Sequence, residues 1–315
     1  MSIKSNFSKV MEFNRAFDMV SSEPKEYGGY FEDLEGKIQY NPFKYIRIPI
    51  FRDSPKTIRL RLDLIKEEVG ELSDAILQND IIEQRDACAD ILYVVYGMSD
   101  VLGIAIDDIF SNKIQAKAMN YEYNEYNNIN NKNRFVDIIM EASNNGIKNI
   151  TNFNYMKYFS TPFLEFDISS KSVPEMKNFI INKLNKIYTD LESNCLMEIE
   201  IINILDKFKN ISENIYELLS WTYIMTLVLN VNADYDFDIV HNSNMSKLCA
   251  TEADAKATVA DYEAKYRSGT SPYDSPYYYY LNGLDKWIVK NLSTGKALKN
   301  IKYQKVCFKN SRFVF

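Results

Sequence analysis

The sequence predicts a mainly α-helical protein with a small β-hairpin near its C-terminus, and three observations lead there. Apolar residues at Ile58, Leu62, Ile65, Val69, Leu72 and Ile76 recur in alternating steps of four and three. That is the spacing of a helix packed in a bundle. A second seam runs through Cys88, Leu92, Val95, Met98 and Leu102; a tight turn near Asn79–Asp80 would make the two helices antiparallel. Late in the chain, Tyr277–Tyr280 and the stretch from Trp287 to Lys296 alternate and turn like a β-hairpin, with the turn expected at Asn291–Gly295.

The other elements follow in order. Phe7, Val10, Met11, Phe13, Phe17 and Val20 give residues 7–20 an amphipathic helical pattern. Residues 21–53 carry Pro24, Gly28, Gly29, Pro42 and Pro49 among many aromatics and read as a long loop that folds over a site. The first central helix starts at Ser54-Pro55, with Ser54 as N-cap and Pro55 at the first position. Gly103 closes the second, and Asp107–Asn120 begins another helical stretch. Tyr121–Asn133 is rich in Asn, Tyr and Glu, too polar to bury much surface, and reads as a linker. Residues 135–170 fit either helix or coil with a short strand. Ser172-Val-Pro-Glu175 opens a helix to about Leu191, and helices continue with breaks to about Asn232. A charged helix is expected near Thr251–Arg267. The domain boundaries are placed accordingly: a helical half at 1–120, a linker at 121–170, a second helical half at 171–250, and a C-terminal helix and hairpin at 251–315.

Bulk properties narrow the function. The 315 residues carry a net charge of −6, with 46% hydrophobic and 14% aromatic residues. The acidic balance gives no sign of a nucleic-acid-binding surface. Cys88, Cys195, Cys249 and Cys307 are scattered without Cys-x-x-Cys spacing, which argues for reduced thiols rather than a zinc site or a disulfide framework. The N-terminus lacks a signal-type apolar core, and the apolar run Leu218–Val231 is too broken to span a bilayer. A cytoplasmic protein with no membrane partner is expected. The Asn-, Ile-, Lys- and Tyr-rich composition further suggests an AT-rich genome, viral or parasitic. No Gly-x-x-x-x-Gly-Lys loop is present, which excludes a P-loop enzyme. His241 is the only histidine. It rules out a His-pair metal site and is read as a packing or capping residue.

The chemistry concentrates between Lys66 and Gly103. Glu67, Glu68 and Glu71 lie on the first central helix, and Glu83, Asp86 and Asp90 on the second. Residues three or four apart share a helix face, so the acids form two stripes able to face each other. Like charges at that spacing cost about 0.2–0.5 kcal/mol per pair. The nearby bases Arg59, Arg61, Lys66 and Arg85 could offset this; a divalent cation would do so better, because carboxylate oxygens are the donors hard cations select. An ordinary solvated acidic face explains the spacing equally well. Asp90 leans toward the metal reading, since it directly precedes the apolar run Ile91-Leu-Tyr-Val-Val-Tyr96.

These residues carry a resemblance. Glu68-x-x-Glu71 followed by Glu83-x-x-Asp86 is similar to the acidic signature of the all-α nucleoside triphosphate pyrophosphohydrolases, the MazG-like and phosphoribosyl-ATP pyrophosphohydrolase-like group. Arg59-Leu-Arg-Leu with Glu67-Glu68-Val-Gly-Glu-Leu resembles the family's first core helix, and Asp86-Ala-Cys-Ala-Asp-Ile-Leu-Tyr-Val-Val-Tyr-Gly its second. Phe13-Asn-Arg-Ala-Phe17, His241-Asn-Ser-Asn-Met-Ser-Lys247 and Thr294-Gly-Lys-Ala-Leu-Lys299 resemble further segments of phage and bacterial members. The resemblance implies a MazG-like helical bundle that hydrolyses a nucleoside triphosphate to the monophosphate and pyrophosphate. It implies Mg²⁺, with Mn²⁺ as the alternative, on Glu68, Glu71, Glu83 and Asp86. It gives the attacking water to Glu67 or Asp90, and contacts with the nucleotide to Asn244, Lys247, Lys296 and Lys299. Two rivals stand beside it, a phosphoribosyl-ATP pyrophosphohydrolase and a helical protein that binds nucleotide without cleaving it.

One departure is large. About 130 residues separate Asp107-Asp108-Ile-Phe from Ser243-Asn-Met-Ser-Lys247, which adjoin in the family. A degenerate tandem repeat would explain this. A shift of 127 pairs residues 58–104 with 185–231 without a gap, places Asp86 and Asp90 on Glu213 and Glu217, and places Glu67, Glu68 and Glu83 on Asn194, Cys195 and Asn210. Chance similarity between amphipathic helices is the competing explanation. The repeat predicts a pseudo-dimeric monomer, or else a homodimer, with acids from one half and nucleotide contacts from the other.

Overall fold

The computed structural model describes residues 5–17, 19, 29–32, 38–41, 55–104, 106, 172–196, 204–229 and 231–308. The expected Ser54 cap, the helix from Asp107, the linker at 121–133 and the ambiguous stretch 135–170 lie outside them. Among the described residues, 5–11 and 29–237 build one compact unit, and 12–19 with 238–308 build another.

The first unit opens with the start of α1 (Asn6–Ala16). An antiparallel pair follows, β1 (Gly29–Glu32) and β2 (Ile38–Asn41), with Tyr30 opposite Tyr40. The stretch expected as one long loop therefore contains a short hairpin. Four helices come next: α2 (Pro55–Leu77), α3 (Ile81–Leu102), α4 (Val173–Leu196) and α5 (Ile204–Val228). They pack as two hairpins, α2 on α3 and α4 on α5, joined through α3 on α5 and α2 on α4. The first turn of α6 (Ala233–Met245) completes the unit.

Local chemistry explains the element ends. Asn79 (φ 54°) turns the chain after α2, and Asp80 caps α3 by accepting from the backbone N–H groups of Ile82 (2.9 Å) and Glu83 (3.2 Å). Gly103 ends α3 in the left-handed region at φ 70°. Ser172 donates through its N–H and hydroxyl to Glu175 Oε2 at 2.8 and 2.7 Å, which fixes the start of α4. The α2 core seam is Ile58, Leu62, Ile65, Val69 and Leu72, and Ala75 rather than Ile76 closes it. Fully burying each such aliphatic side chain contributes about 1.5–3 kcal/mol. A polar knot also sits in this unit: Asn6 donates to Asp234 Oδ1 (2.6 Å), Tyr223 donates to the same oxygen (3.2 Å), and the hydroxyls of Tyr223 and Tyr96 meet at 3.3 Å.

Tyr96 and Tyr223 are 127 residues apart. Burial repeats at that spacing along α3 and α5: Gln84, Arg85, Cys88, Leu92, Val95 and Met98 fall on Ser212's neighbour Ile211, Ser212, Ile215, Leu219, Thr222 and Met225, all buried. The helix ends repeat too, Ile104 N donating to Ser99 O and Val231 N to Thr226 O, each at 3.0 Å. Along α2 and α4 the register is one residue shorter, so that Ile58, Leu62, Ile65 and Val69 fall on Leu184, Tyr188, Leu191 and Cys195. The gapless alignment is thus corrected: Glu67 and Glu68 correspond to Ser193 and Asn194, and Cys195 is a core residue.

The second unit contains the rest of α6, then α7 (Glu252–Arg267), β3 (Pro276–Leu281) and β4 (Lys286–Asn291). Thr251 caps α7 by accepting from Asp254 N–H at 3.1 Å. The hairpin pairs Tyr277 with Lys290 and Tyr280 with Trp287. Its turn therefore lies at 282–285, where Asp285 has φ 50°, and not at Asn291–Gly295 as expected. The latter is a second turn, leading only to an isolated bridge between Lys290 and Ala297. Two small cores hold the unit, one of Ala16, Phe17, Leu248 and Ile288 and one of Cys249, Ala255, Val289 and Leu298. Among the described residues no helix is long and apolar enough to cross a membrane.

Candidate active site

The six acids of α2 and α3 share one environment. Glu67, Glu71 and Glu83 are exposed, while Glu68, Asp86 and Asp90 are half-buried. Burial pushes the Glu68 carboxyl up to about 8, reinforced by the charges of Asp90, Glu71, Glu67 and Asp86. Asp86 is pushed up to about 6 by burial first, then by Glu83, Glu71 and Asp236. The Glu71 carboxyl is raised by burial, then by Glu67, Glu83 and Asp74. Each of these groups thus feels acids from the opposite helix, so the two stripes do face each other. Asp86 Oδ1 is buried without a hydrogen-bond partner, a costly state for an anionic oxygen.

Three of the neighbouring bases, Arg59, Arg85 and Arg61, turn elsewhere. Arg59 pairs with Glu192 at 2.9 Å. Arg85 grips Asp236 through Nε (2.8 Å) and Nη2 (2.6 Å). Arg61 is 5% exposed, its pKa lowered by burial against the opposing charges of Asp100 and Tyr93. Gly97 makes room for it, because a Cβ there would stand 2.6 Å from Arg61 Nη1.

A hard divalent cation suits this donor set. Glu68, Glu71, Glu83 and Asp86 offer carboxylate oxygens only, and Asp86 supplies an orphaned buried one. Among the described residues no three acidic, histidine or cysteine side chains close on one point as a ready-made cage. Mg²⁺ does not require one, since it takes one or two carboxylates and fills its remaining positions with water and phosphate oxygens.

The candidate nucleotide contacts belong to the second unit. Lys247 donates to Asn244 Oδ1 at 2.7 Å, with its ammonium 5.8 Å from the Phe13 ring centre. Lys296 and Lys299 are exposed, each over a tyrosine ring, Tyr273 at 5.7 Å and Tyr303 at 4.7 Å. His241 is 9% exposed, in keeping with a packing residue. In the α4–α5 hairpin, Asn194, at the position of Glu68, donates across to Asn214 Oδ1 at 3.1 Å. Only Glu213 and Glu217 remain acidic there, at the positions of Asp86 and Asp90.

Residues 34–117, which include all six acids, match a family model described as phosphoribosyl-ATP pyrophosphohydrolase. The chain carries a domain of this MazG-like, all-α pyrophosphohydrolase family. It is also 32% identical over 261 residues to an uncharacterized protein of Acanthamoeba polyphaga mimivirus, a match spanning 82% of this chain and 83% of that one. No solved structure matches. Sequence reasoning missed Arg85 and Asp236 as a pair and the knot around Tyr223. Arg85 lies 151 residues from Asp236, Asn6 lies 228 from Asp234 and Tyr96 lies 127 from Tyr223, and no local pattern links them.

Proposed function

We propose that the chain is a divalent-metal-dependent nucleoside triphosphate pyrophosphohydrolase that splits a ribo- or deoxynucleotide into the monophosphate and pyrophosphate. The observation that carries this reading is the face-to-face set of six carboxylates, with Asp86 Oδ1 buried and unpartnered, inside the segment matched to a pyrophosphohydrolase family. Glu68, Glu71, Glu83 and Asp86 would hold Mg²⁺ or Mn²⁺. When bound, the ion neutralises phosphate charge that would otherwise be repelled by the acids.

The chain's own groups supply the rest. Water attacks phosphorus, the α–β anhydride bond breaks, and pyrophosphate leaves with the bonding electron pair. Glu67 or Asp90 orients the water and accepts its proton. Asn244, Lys247, Lys296 and Lys299 are proposed as contacts to phosphate, base or sugar, and alanine there is expected to raise KM more than it lowers kcat.

A pyrophosphate-release panel covering ribo- and deoxynucleoside triphosphates and phosphoribosyl-ATP, with and without Mg²⁺, tests the reading. Release from a nucleoside triphosphate supports it. Selective release from phosphoribosyl-ATP would move the chain to the rival suggested by the family's description. Thermal protection by nucleotide without release would make it a binding protein.

A further inference from the structure

The ion pair between Arg85 on α3 and Asp236 on α6 is deeply buried, its side chains 5% and 2% exposed. We infer that Arg85 and Asp236 are positioning residues, a clamp that fixes the rotation of α3 so that Asp86 faces the α2–α3 seam. The inference rests on the reading of that seam as a metal site.

Four observations carry it. The pair is two-pronged, with Nε on Oδ2 and Nη2 on Oδ1, and a planar fork seated on a carboxylate fixes direction as well as distance. Successive residues on an α-helix are turned by about 100°, so anchoring Arg85 toward α6 sets the bearing of Asp86, the next residue. Asp86 Oδ1 has no hydrogen bond of its own, and the helix backbone must therefore hold that oxygen's aim. Asp236 is also near enough for its charge to act on Asp86.

The fourth observation is an asymmetry. At the 127-residue spacing that relates Tyr96 to Tyr223, Arg85 corresponds to Ser212 and Asp236 to Ile109. The clamp occurs on the helix that keeps the acids and has no counterpart on the one that lost them. Stability alone does not account for it, because a buried ion pair is commonly no better than an apolar pair of similar volume. A role in setting helix rotation does.

The test uses the full chain and Mn²⁺ as the probe, with affinity read from the electron paramagnetic resonance signal of free Mn²⁺. In the double variant Arg85→Met, Asp236→Leu, the metal-free melting temperature should stay near that of the parent while Mn²⁺ affinity falls about 10- to 100-fold, the range seen when the support of a metal ligand is removed. Parent-like Mn²⁺ affinity in the folded double variant overturns the inference. Should that variant fail to fold, Arg85→Lys decides, since it keeps the charge and loses the fork: weaker Mn²⁺ binding supports the clamp, and unchanged binding overturns it. If the parent chain itself binds no Mn²⁺, the metal-site reading falls first and the clamp with it.

Discussion

At the scale of single residues, Glu68 shows how the site departs from an ordinary acidic surface. An exposed glutamate on a solvated helix stays close to its usual proton affinity, whereas Glu68 is held at about 8 by burial and four neighbouring acids. Glu68→Gln should abolish most turnover, by roughly 100-fold or more if the residue takes part in metal-assisted chemistry. The same change should stabilise the metal-free protein above pH 8, where Glu68 would otherwise carry its charge, by about 0.2–0.5 kcal/mol for each like-charged helix neighbour relieved. Activity assays and thermal melts on one preparation check both signs. The raised carboxyls also fix a pH dependence. Between the unfolded value near 4.5 and the folded value near 8, the native state binds more protons than the unfolded one, so metal-free stability falls as pH rises through that window. Added Mg²⁺ or Mn²⁺ should raise the melting temperature more at pH 8 than at pH 5.5, with protons released on binding. A metal-induced shift that is flat across this range would contradict the proposed ligands.

At the scale of elements, two glycines one helix apart make opposite predictions. Gly70 lies inside α2 with open space where a Cβ would stand, so Gly70→Ala should stabilise by about 0.8–1.0 kcal/mol through helix propensity alone. Gly97 lies inside α3 beneath the buried Arg61 guanidinium. Gly97→Ala gains the same propensity, but overpacking at a buried site costs about 1–3 kcal/mol, and the net effect should be a loss. Asp80→Ala should cost about 1 kcal/mol by removing the cap on α3, loosening the turn between the two acid-bearing helices. Denaturant titration of the three variants separates these effects. The α2–α3 hairpin was legible because its seams, turn and cap are local. Helix α6 was not, because its buried face includes the polar Asp234 and Asp236, whose burial makes sense only with Asn6, Tyr223 and Arg85 in place.

At the scale of the whole molecule, the repeated burial pattern relates the α2–α3 and α4–α5 hairpins, and the Tyr96–Tyr223 contact places equivalent atoms against each other. The acids are not shared equally between the two hairpins. The second seam has Ser193 and Asn194 where the first has Glu67 and Glu68, and Asn194 is bonded across to Asn214. Calorimetry with Mn²⁺ and a non-hydrolysable nucleotide should therefore give one nucleotide per chain. Two equivalent sites per chain would refute the asymmetry.

The sequence by itself determined the helix seams, the facing acids and the family they belong to, because each depends on spacing within some forty residues. In the 127-residue alignment a one-residue slip between α2 and α4 went unseen, since two amphipathic helices offset by one residue still look periodic. Only the tertiary structure decided where the bases go. In sequence, Arg59, Arg61 and Arg85 stand beside the acids and could have neutralised them. In the fold Arg59 reaches Glu192, Arg85 reaches Asp236, and Arg61 is buried beside Gly97. Proximity along a helix says nothing about which way a long side chain turns; that follows from the neighbour packed against it. The carboxylates of α2 and α3 are left facing one another.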